Sequence, residues 1–342
     1  MSRAHSQLKR VCLVTRLGGV AGPAGFQRRL AAGLQEQGIE VSYSLADRPY
    51  ETVLVIGGTR RLGGLLQARR AGARIVQRLD GINWLHRQTR TGVRHYLRAE
   101  ANNLLVRWIR SRLADRLVYQ SEFARRWWEQ RHGSVSATSV VVHNGVPLQI
   151  YTPNGADQRP QEATRLLMVE GNFAGGYELG LGTGVDLAGR LAAHLDRSVE
   201  LTIAGNARRP PGELPHGVRL DWRGLVEPDQ IPALDRSAHL LFAADLNPAC
   251  PNAAIEAMAC GLPVIAFETG ALPELVQGDA GRLAPYGGDP WKLETPDFEA
   301  LVEAGVQVLG DQPRFRAGAR ARAEAAFGLE RMVDGYLQQL AG

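Results

Sequence analysis

The run Pro251-Asn252-Ala253-Ala254-Ile255-Glu256-Ala257-Met258-Ala259-Cys260-Gly261-Leu262-Pro263-Val264 brings together two groups that could do chemistry. It reads as a loop, a short helix, a tight turn and a buried strand. The first N–H groups of a helix have no intrahelical acceptor and sit at the positive end of its dipole. Asn252, Ala253 and Ala254 would therefore offer amides to an anion, and a diphosphate suits that geometry. Glu256, one turn along, is a carboxylate suited to accept from ribose hydroxyls. Its plainer reading is a charge that complements the helix dipole. Asn252 likewise reads as an N-cap, which at an anion site can also be a ligand. Gly261 is expected to stop the helix, Pro263 to open the next element, and Val264 to Phe267 to form a strand.

Such a helix must be held at the carboxyl edge of a parallel sheet, and the chain has the alternation that builds one. Val11-Cys12-Leu13-Val14-Thr15 is a near-continuous apolar run, as in strands covered on both faces. The loop Gly18-Gly19-Val20-Ala21-Gly22-Pro23-Ala24-Gly25 follows, then a helix over 26–37. Strands are expected over 39–45, 52–56, 74–78 and 117–121, with a helix over 62–71. A long helix is expected over 92–113, with Leu97, Ala101, Leu104, Leu105 and Trp108 as an apolar stripe among Arg94, Arg98, Arg107 and Arg110. The stripe is expected to pack on the sheet with the arginine stems lying flat. A helix lying on a membrane surface would have the same pattern. Ser121 should N-cap a helix over 122–131, and 139–146 should be a strand running into an Asn-Gly turn. Residues 151–160 are poor in apolar side chains and read as a linker. A second series begins at Arg165, with strands over 166–170, 199–204, 218–222 and 239–243 and helices over 184–194 and 231–237. Terminal helices are expected over 298–309, 313–326 and 329–340. The expected class is α/β, with two doubly wound parallel sheets.

The stretch from Glu256 to Val264, followed by Thr269-Gly270-Ala271-Leu272-Pro273-Glu274, resembles the C-terminal signature of the retaining glycosyltransferases of family four, the glycosyl transferases group 1. That signature is roughly Glu-x7-Glu-Ala-x-Ala-x-Gly-x-Pro-Val, then Gly-Gly-x-Pro-Glu. Ser121-Glu122-Phe123, Asn144-Gly145-Val146, Trp222-Arg223-Gly224-Leu225-Val226 and Met332-Val333 with Tyr336 resemble further landmarks of the family, in the same order. The resemblance implies the GT-B fold: two Rossmann-like doubly wound domains facing across a cleft, with a C-terminal helix crossing back to the first. It implies an acceptor-side domain over 1–155, a nucleotide-sugar domain over 156–325 and the returning helix over 326–342. It also implies a nucleotide-sugar donor as substrate, no resident cofactor, no metal, and transfer of the sugar to an acceptor hydroxyl with retention of configuration. A donor phosphate oxygen would help to deprotonate that hydroxyl. By the same likeness Gly18 and Gly19 approach the donor phosphates or the acceptor, and Gly224, Leu225 and Val226 read the base.

The departures from the family pattern lie at the donor site. Pro248 stands eight residues before Glu256, where the first Glu belongs. Gly171-Asn172 stands where the family has Gly-Arg, and no Lys follows before Lys292. Asp80 stands where the family often has a His against the donor sugar, and it is the catalytic candidate; its plainer reading is a turn residue. Oriented cations usually supply much of the stabilisation of a leaving diphosphate. Arg16, Arg208 and Arg209 are the candidate replacements, and Asn172 offers a neutral donor. Two rivals follow from these losses: a binding or scaffold protein with a degenerate donor site, and an NDP-sugar epimerase on the same fold.

The 342 residues suit two domains. Charge is uneven: residues 1–150 carry about 24 Lys and Arg against about 9 Asp and Glu, and the remainder reverses the balance. A basic first half suits an anionic partner: a membrane face, a lipid-linked acceptor or a phosphate. The acceptor itself is expected to be a glycan, a lipid-linked molecule or a small molecule. Nucleic acid is not expected, because no recognition motif accompanies the charge. No apolar run reaches the length of a membrane span and the N-terminus lacks a signal-peptide core, so the expected location is cytoplasmic, including the inner membrane surface. Cys12, Cys250 and Cys260 lack zinc spacing and read as structural, and no phosphate-binding Lys-Ser/Thr loop or nucleophile elbow occurs.

Overall fold

The structure is a computed structural model that describes residues 8–19, 22–173, 178–206 and 212–341. Val20, Ala21, Arg208, Arg209 and the 174–176 part of the second glycine-rich run lie outside the described residues. The chain divides into two units, one made of 1–87, 91–145 and 329–342, the other of 88–90 and 146–328.

In the first unit the strands are β1 (Arg10–Val14), β2 (Glu40–Ser42), β3 (Thr52–Ile56), β4 (Arg74–Leu79), β5 (Arg116–Tyr119) and β6 (Thr138–Val141). The helices between them are α1 (Pro23–Glu36), α2 (Leu62–Arg70), α3 (Val93–Arg112) and α4 (Glu122–His132). All strands run parallel in the order β2-β1-β3-β4-β5-β6. Every residue of β3 is buried, as a strand covered on both faces requires. Helix α1 starts three residues before its expected start because Pro23 occupies the first helical turn, where its missing N–H costs nothing. Ser121 caps α4 as expected, its Oγ accepting from the Ala124 N–H at 3.0 Å. The order reverses between β1 and β3: β2 lies to one side of β1, and the chain then continues on the other.

Helix α3 departs from expectation. Its buried face is Ala99, Asn103, Val106, Ile109 and Arg110, while Leu97, Ala101, Leu104 and Trp108 face solvent. The inward polar groups are satisfied individually. The Asn103 Oδ1 accepts from the Asn83 backbone N–H (3.1 Å) and the Asn83 side-chain amide (3.0 Å), and its own amide donates to the Asn83 carbonyl (2.9 Å). Arg110 donates to the Tyr119 hydroxyl (3.0 Å) and to the Gly133 carbonyl (2.7 Å). Of the expected stripe only Leu105 packs against the core, beside the apolar Val106 and Ile109; the buried face mixes these with amide and guanidinium pairing, which the apolar pattern alone does not reveal.

The second unit holds β7 (Thr164–Asn172), β8 (Val199–Asn206), β9 (Val218–Gly224), β10 (Leu240–Phe242), β11 (Val264–Phe267) and β12 (Gly281–Ala284). Its helices are α5 (Glu178–Leu195), α6 (Ile231–Ser237), α7 (Asn252–Ala259), α8 (Leu272–Leu275), α9 (Phe298–Gly310) and α10 (Gln312–Ala326). These strands are also all parallel, in the order β12-β11-β10-β7-β8-β9. Strand β12 and helix α8 were not foreseen, since Gly281-Arg282-Leu283-Ala284 has little strand signal; Gly281 passes too close to the Val264 carbonyl for any Cβ. The 151–160 segment lies in this unit, where the Tyr151 hydroxyl donates to the Pro228 carbonyl (3.4 Å) and Asp157 pairs with Arg236 (2.7 Å). The chain ends in α11 (Leu329–Ala341), a helix of the first unit. There Tyr336 packs on Phe26 with ring centroids 5.1 Å apart, and the Leu340 carbonyl accepts from the Thr52 hydroxyl at 2.8 Å.

Candidate functional site

In an open parallel sheet the crevice for a ligand forms beyond the carboxyl ends of the strands, where the strand order reverses. In the second unit that point lies between β7 and β10. The end of β7 there is Gly171-Asn172, and the chain leaving β10 is the loop that runs into α7. The strand order thus sets residues 171–172 and the loop that runs into α7 at neighbouring strand ends.

Helix α7 has no side-chain cap at its N-terminus. The N-cap is Pro251, not Asn252, which is instead the first helical residue. A proline ring carries no oxygen, so the amides of the first turn must find another acceptor. At the other end a Schellman motif closes the helix: Gly261, at φ +68°, donates to the Met258 carbonyl (2.9 Å), and Leu262 donates to the Ala257 carbonyl (2.8 Å). Arg320 adds a cation there, donating to the Ala259 carbonyl at 2.7 Å. Glu256 is 8% exposed. Asp235 on α6 is buried nearby, and burial first, then the charge of Glu256, pushes its carboxyl well above the usual range.

The loop before α7 is clasped to the turn after β11. The Pro248 carbonyl accepts from the Ala271 N–H at 2.8 Å, and the Asn247 N–H donates to the Thr269 hydroxyl at 3.3 Å. Asn247 is buried in a left-handed conformation (φ +53°), and its side-chain nitrogen has no partner among the described residues. Asn247 and Pro248 therefore supply no carboxylate where the family pattern has its first Glu.

Two carboxyl groups that sequence reasoning missed also meet at this reversal. Strand β10 pairs with β7 with Leu240 beside Leu166 and Leu241 beside Leu167, which leads Asp245 toward Glu170. Burial raises Asp245 to about 6, and burial together with the charge of Asp245 raises Glu170 well above the ordinary carboxylate range. Perturbed pairs of this kind cluster at functional clefts. The only sequence signal was an acid at the end of each of two strands separated by 75 positions.

The remaining candidates are spread along the same edge. Gly171 and Asn172 are exposed and belong to the end of β7, past an irregularity in its pairing with β8; the Asn172 Oδ1 accepts from the Asn206 side-chain amide at 3.3 Å. Gly224 (φ +63°) closes β9, and Leu225, which is exposed, and Val226 follow it. Strand β9 is three places from β10, so that patch stands roughly 14 Å across the sheet from β10.

The first unit holds Asp80, Gly18, Gly19 and Arg16. Asp80 follows β4, and its Oδ1 accepts from Arg78 and from the Gln120 amide. Arg78 is fully buried, stacked 3.8 Å over the Phe26 ring, and its other nitrogen donates to the Asn144 Oδ1 at 3.1 Å. Asp80 is thus a fixed acceptor inside a polar network. Gly18 and Gly19 are exposed, with open space where a Cβ would stand, and Arg28 donates to the Gly19 carbonyl at 2.6 Å. Arg16 stacks over Tyr43 at 5.4 Å. The three cysteines are buried thiols outside any disulfide, and among the described residues no group of three or more His, Cys, Asp or Glu is gathered that could hold a metal.

Two parallel six-stranded sheets of this order, with a terminal helix returned to the first unit, are the GT-B architecture. Residues 171–311, which include the whole reversal loop and α7, match the family of glycosyl transferases group 1. The chain is 26% identical over 257 residues to D-inositol 3-phosphate glycosyltransferase 1 of Catenulispora acidiphila, covering 66% of this chain and 56% of the relative. It spans about half the length of the curated relatives it matches. In structure it is similar to a sucrose-phosphate synthase from Thermosynechococcus elongatus (TM-score 0.77, 17% identity, 97% of this chain and 98% of the other). It is also similar to Anabaena HepE in complex with UDP-glucose (TM-score 0.68, 16% identity, 97% and 99%). The second unit thus matches the family of glycosyl transferases group 1 over residues 171–311, and the chain has the GT-B fold of its structural neighbours.

Proposed function

We propose that the protein transfers a sugar from a nucleotide-sugar to an acceptor hydroxyl, with retention of configuration, in the making of a glycan or glycolipid. The observation that carries this reading is the start of α7. A helix with no side-chain cap opens at the strand-order reversal of the second unit, with a buried carboxylate one turn further along. The amides of Asn252, Ala253 and Ala254 would hold the diphosphate, and the helix dipole would stabilise the charge that develops on it as it leaves. Glu256 would accept from the ribose hydroxyls, and Gly224 to Val226 would line the base. Gly171 and Asn172 would flank the phosphates with neutral donors in place of the family's cations. Asp80 would touch the donor sugar as a positioned acceptor, and Gly18 and Gly19 would leave room for phosphate or acceptor. The nucleotide-sugar is a substrate in this reading, and no resident cofactor is needed.

The test is a thermal-shift and titration screen of UDP, GDP and their sugars, because a ligand that binds the folded state raises Tm. Binding that Glu256→Ala abolishes supports the site, and the anomeric configuration of the product decides retention. A second reading has an observation behind it: Pro248 stands where the family pattern has a Glu, and the neutral Asn172 stands where it has an Arg. A donor bound but never hydrolysed or transferred, with any acceptor, would make this a binding protein. Conversion of the donor without an acceptor would make it an epimerase.

A further inference from the structure

We infer that the outward face of α3 docks on an anionic lipid bilayer. The helix carries Val93, Leu97, Leu104 and Trp108 at spacings of four, seven and four, which puts them on one face. They are 77%, 62%, 61% and 38% exposed, and Tyr96 beside them is 42% exposed. Four of the nine large apolar side chains exposed among the described residues therefore form one stripe on one helix, and Tyr96 makes a fifth at its margin. The opposite face is already committed to the unit through Asn103, Val106, Ile109 and Arg110, so rolling the helix to bury the stripe would break those contacts.

Charge decides the occupant. Arg94, Arg98, Arg107 and Arg112 are exposed around the stripe. The sole acid on the helix, Glu100, is taken by the Arg87 guanidinium at 2.6 and 2.9 Å and by His86 at 2.8 Å. An apolar stripe edged by arginines, with Trp and Tyr at its border, matches an interface of acyl chains under anionic headgroups. A soluble protein partner would need an acidic rim around an apolar groove. None of the described helices is long and apolar enough to cross a membrane, so α3 would lie on the surface.

The experiment is flotation of the full chain with vesicles of phosphatidylcholine alone, or with about 30 mol% phosphatidylglycerol, at increasing NaCl. The wild-type chain is expected to float with the anionic vesicles at low salt and to be released as salt screens the arginines. Leu97→Ser/Leu104→Ser should lower partitioning about tenfold or more, because two buried side chains are lost from the interface. Its Tm should not fall, since both side chains already face solvent. Arg94→Gln/Arg98→Gln/Arg107→Gln should remove the preference for anionic lipid. No flotation at low salt, or flotation unchanged in the leucine variant, would overturn the inference. So would a dimer in light scattering that the leucine variant dissolves while vesicles are ignored, because the face would then join copies of this chain.

Discussion

Gly270 stands against Pro248 with no room for a side chain. A Cβ there would fall inside contact distance of the proline ring and 2.6 Å from the Asn247 carbonyl carbon, and the backbone is at φ +61°. The turn after β11 is thereby pressed onto the loop after β10, which carries the chain into α7. The shape of that loop is set by a glycine more than twenty residues away.

Gly270→Ala should therefore destabilise the second unit by about 2–4 kcal/mol, from the positive φ and from displacement of the Asn247-Pro248 backbone. Urea unfolding measures it. Nucleotide affinity should fall in the same variant at concentrations of urea where it is still folded. An alanine variant as stable as the parent would show that the clasp is not tight.

Glu256→Gln should weaken binding of a UDP- or GDP-sugar about 10–100-fold, the range for hydrogen bonds that lose a charged acceptor. Stability should hold or rise, because Asp235 loses the like charge that helps keep its pKa high. Calorimetric titration beside a thermal melt separates the two effects. Equal affinity in both proteins would remove Glu256 from the site.

Asp245 makes stability depend on pH. Its folded pKa is about 6 against an ordinary value of 3.8. Below pH 3.8 the group is protonated folded or unfolded, and its contribution to stability is fully present. As pH rises through about 6, the folded chain must ionise a half-buried group that the unfolded chain ionises readily, and that contribution is lost. Asp245→Asn should match the wild type near pH 4 and exceed it by roughly 1–3 kcal/mol at pH 8, a figure reduced for the part of Asp245 that stays in water. Unfolding curves at three pH values test this; a difference that does not change with pH would contradict it.

Arg78 and Asp80 form a pair whose halves are unequal in burial: Arg78 is 1% exposed and Asp80 about a third. Asp80→Asn should cost about 2–4 kcal/mol, because the Arg78 charge remains buried with only neutral partners. Adding Arg78→Met should recover part of that loss, which a double-mutant cycle would read as coupling. Additive losses would mean that Gln120 and Asn144 satisfy the guanidinium unaided.

The elements of both sheets were largely legible in the chain. Apolar runs marked β3 and β11, Ser121 marked the start of α4, and Gly261 marked the end of α7, because a cap or a buried strand is dictated by residues within a turn of one another. The amide-lined start of α7 and Glu256 one turn on were legible for the same reason. The N-cap shifted from Asn252 to Pro251, a one-residue matter that the path of the preceding loop decides.

What only the tertiary structure decided depends on residues far apart in sequence. Parallel strand order brings Glu170 and Asp245 together, and burial then raises both, although neither acid is distinctive in its own segment. The partners Asn83, Tyr119 and Gly133 turn α3 so that arginine and asparagine point inward and leucine and tryptophan outward, the reverse of what its composition indicates. Local pattern reports the sum of hydrophobicity along a helix. Which face is buried depends on specific polar partners, and those are supplied by the fold.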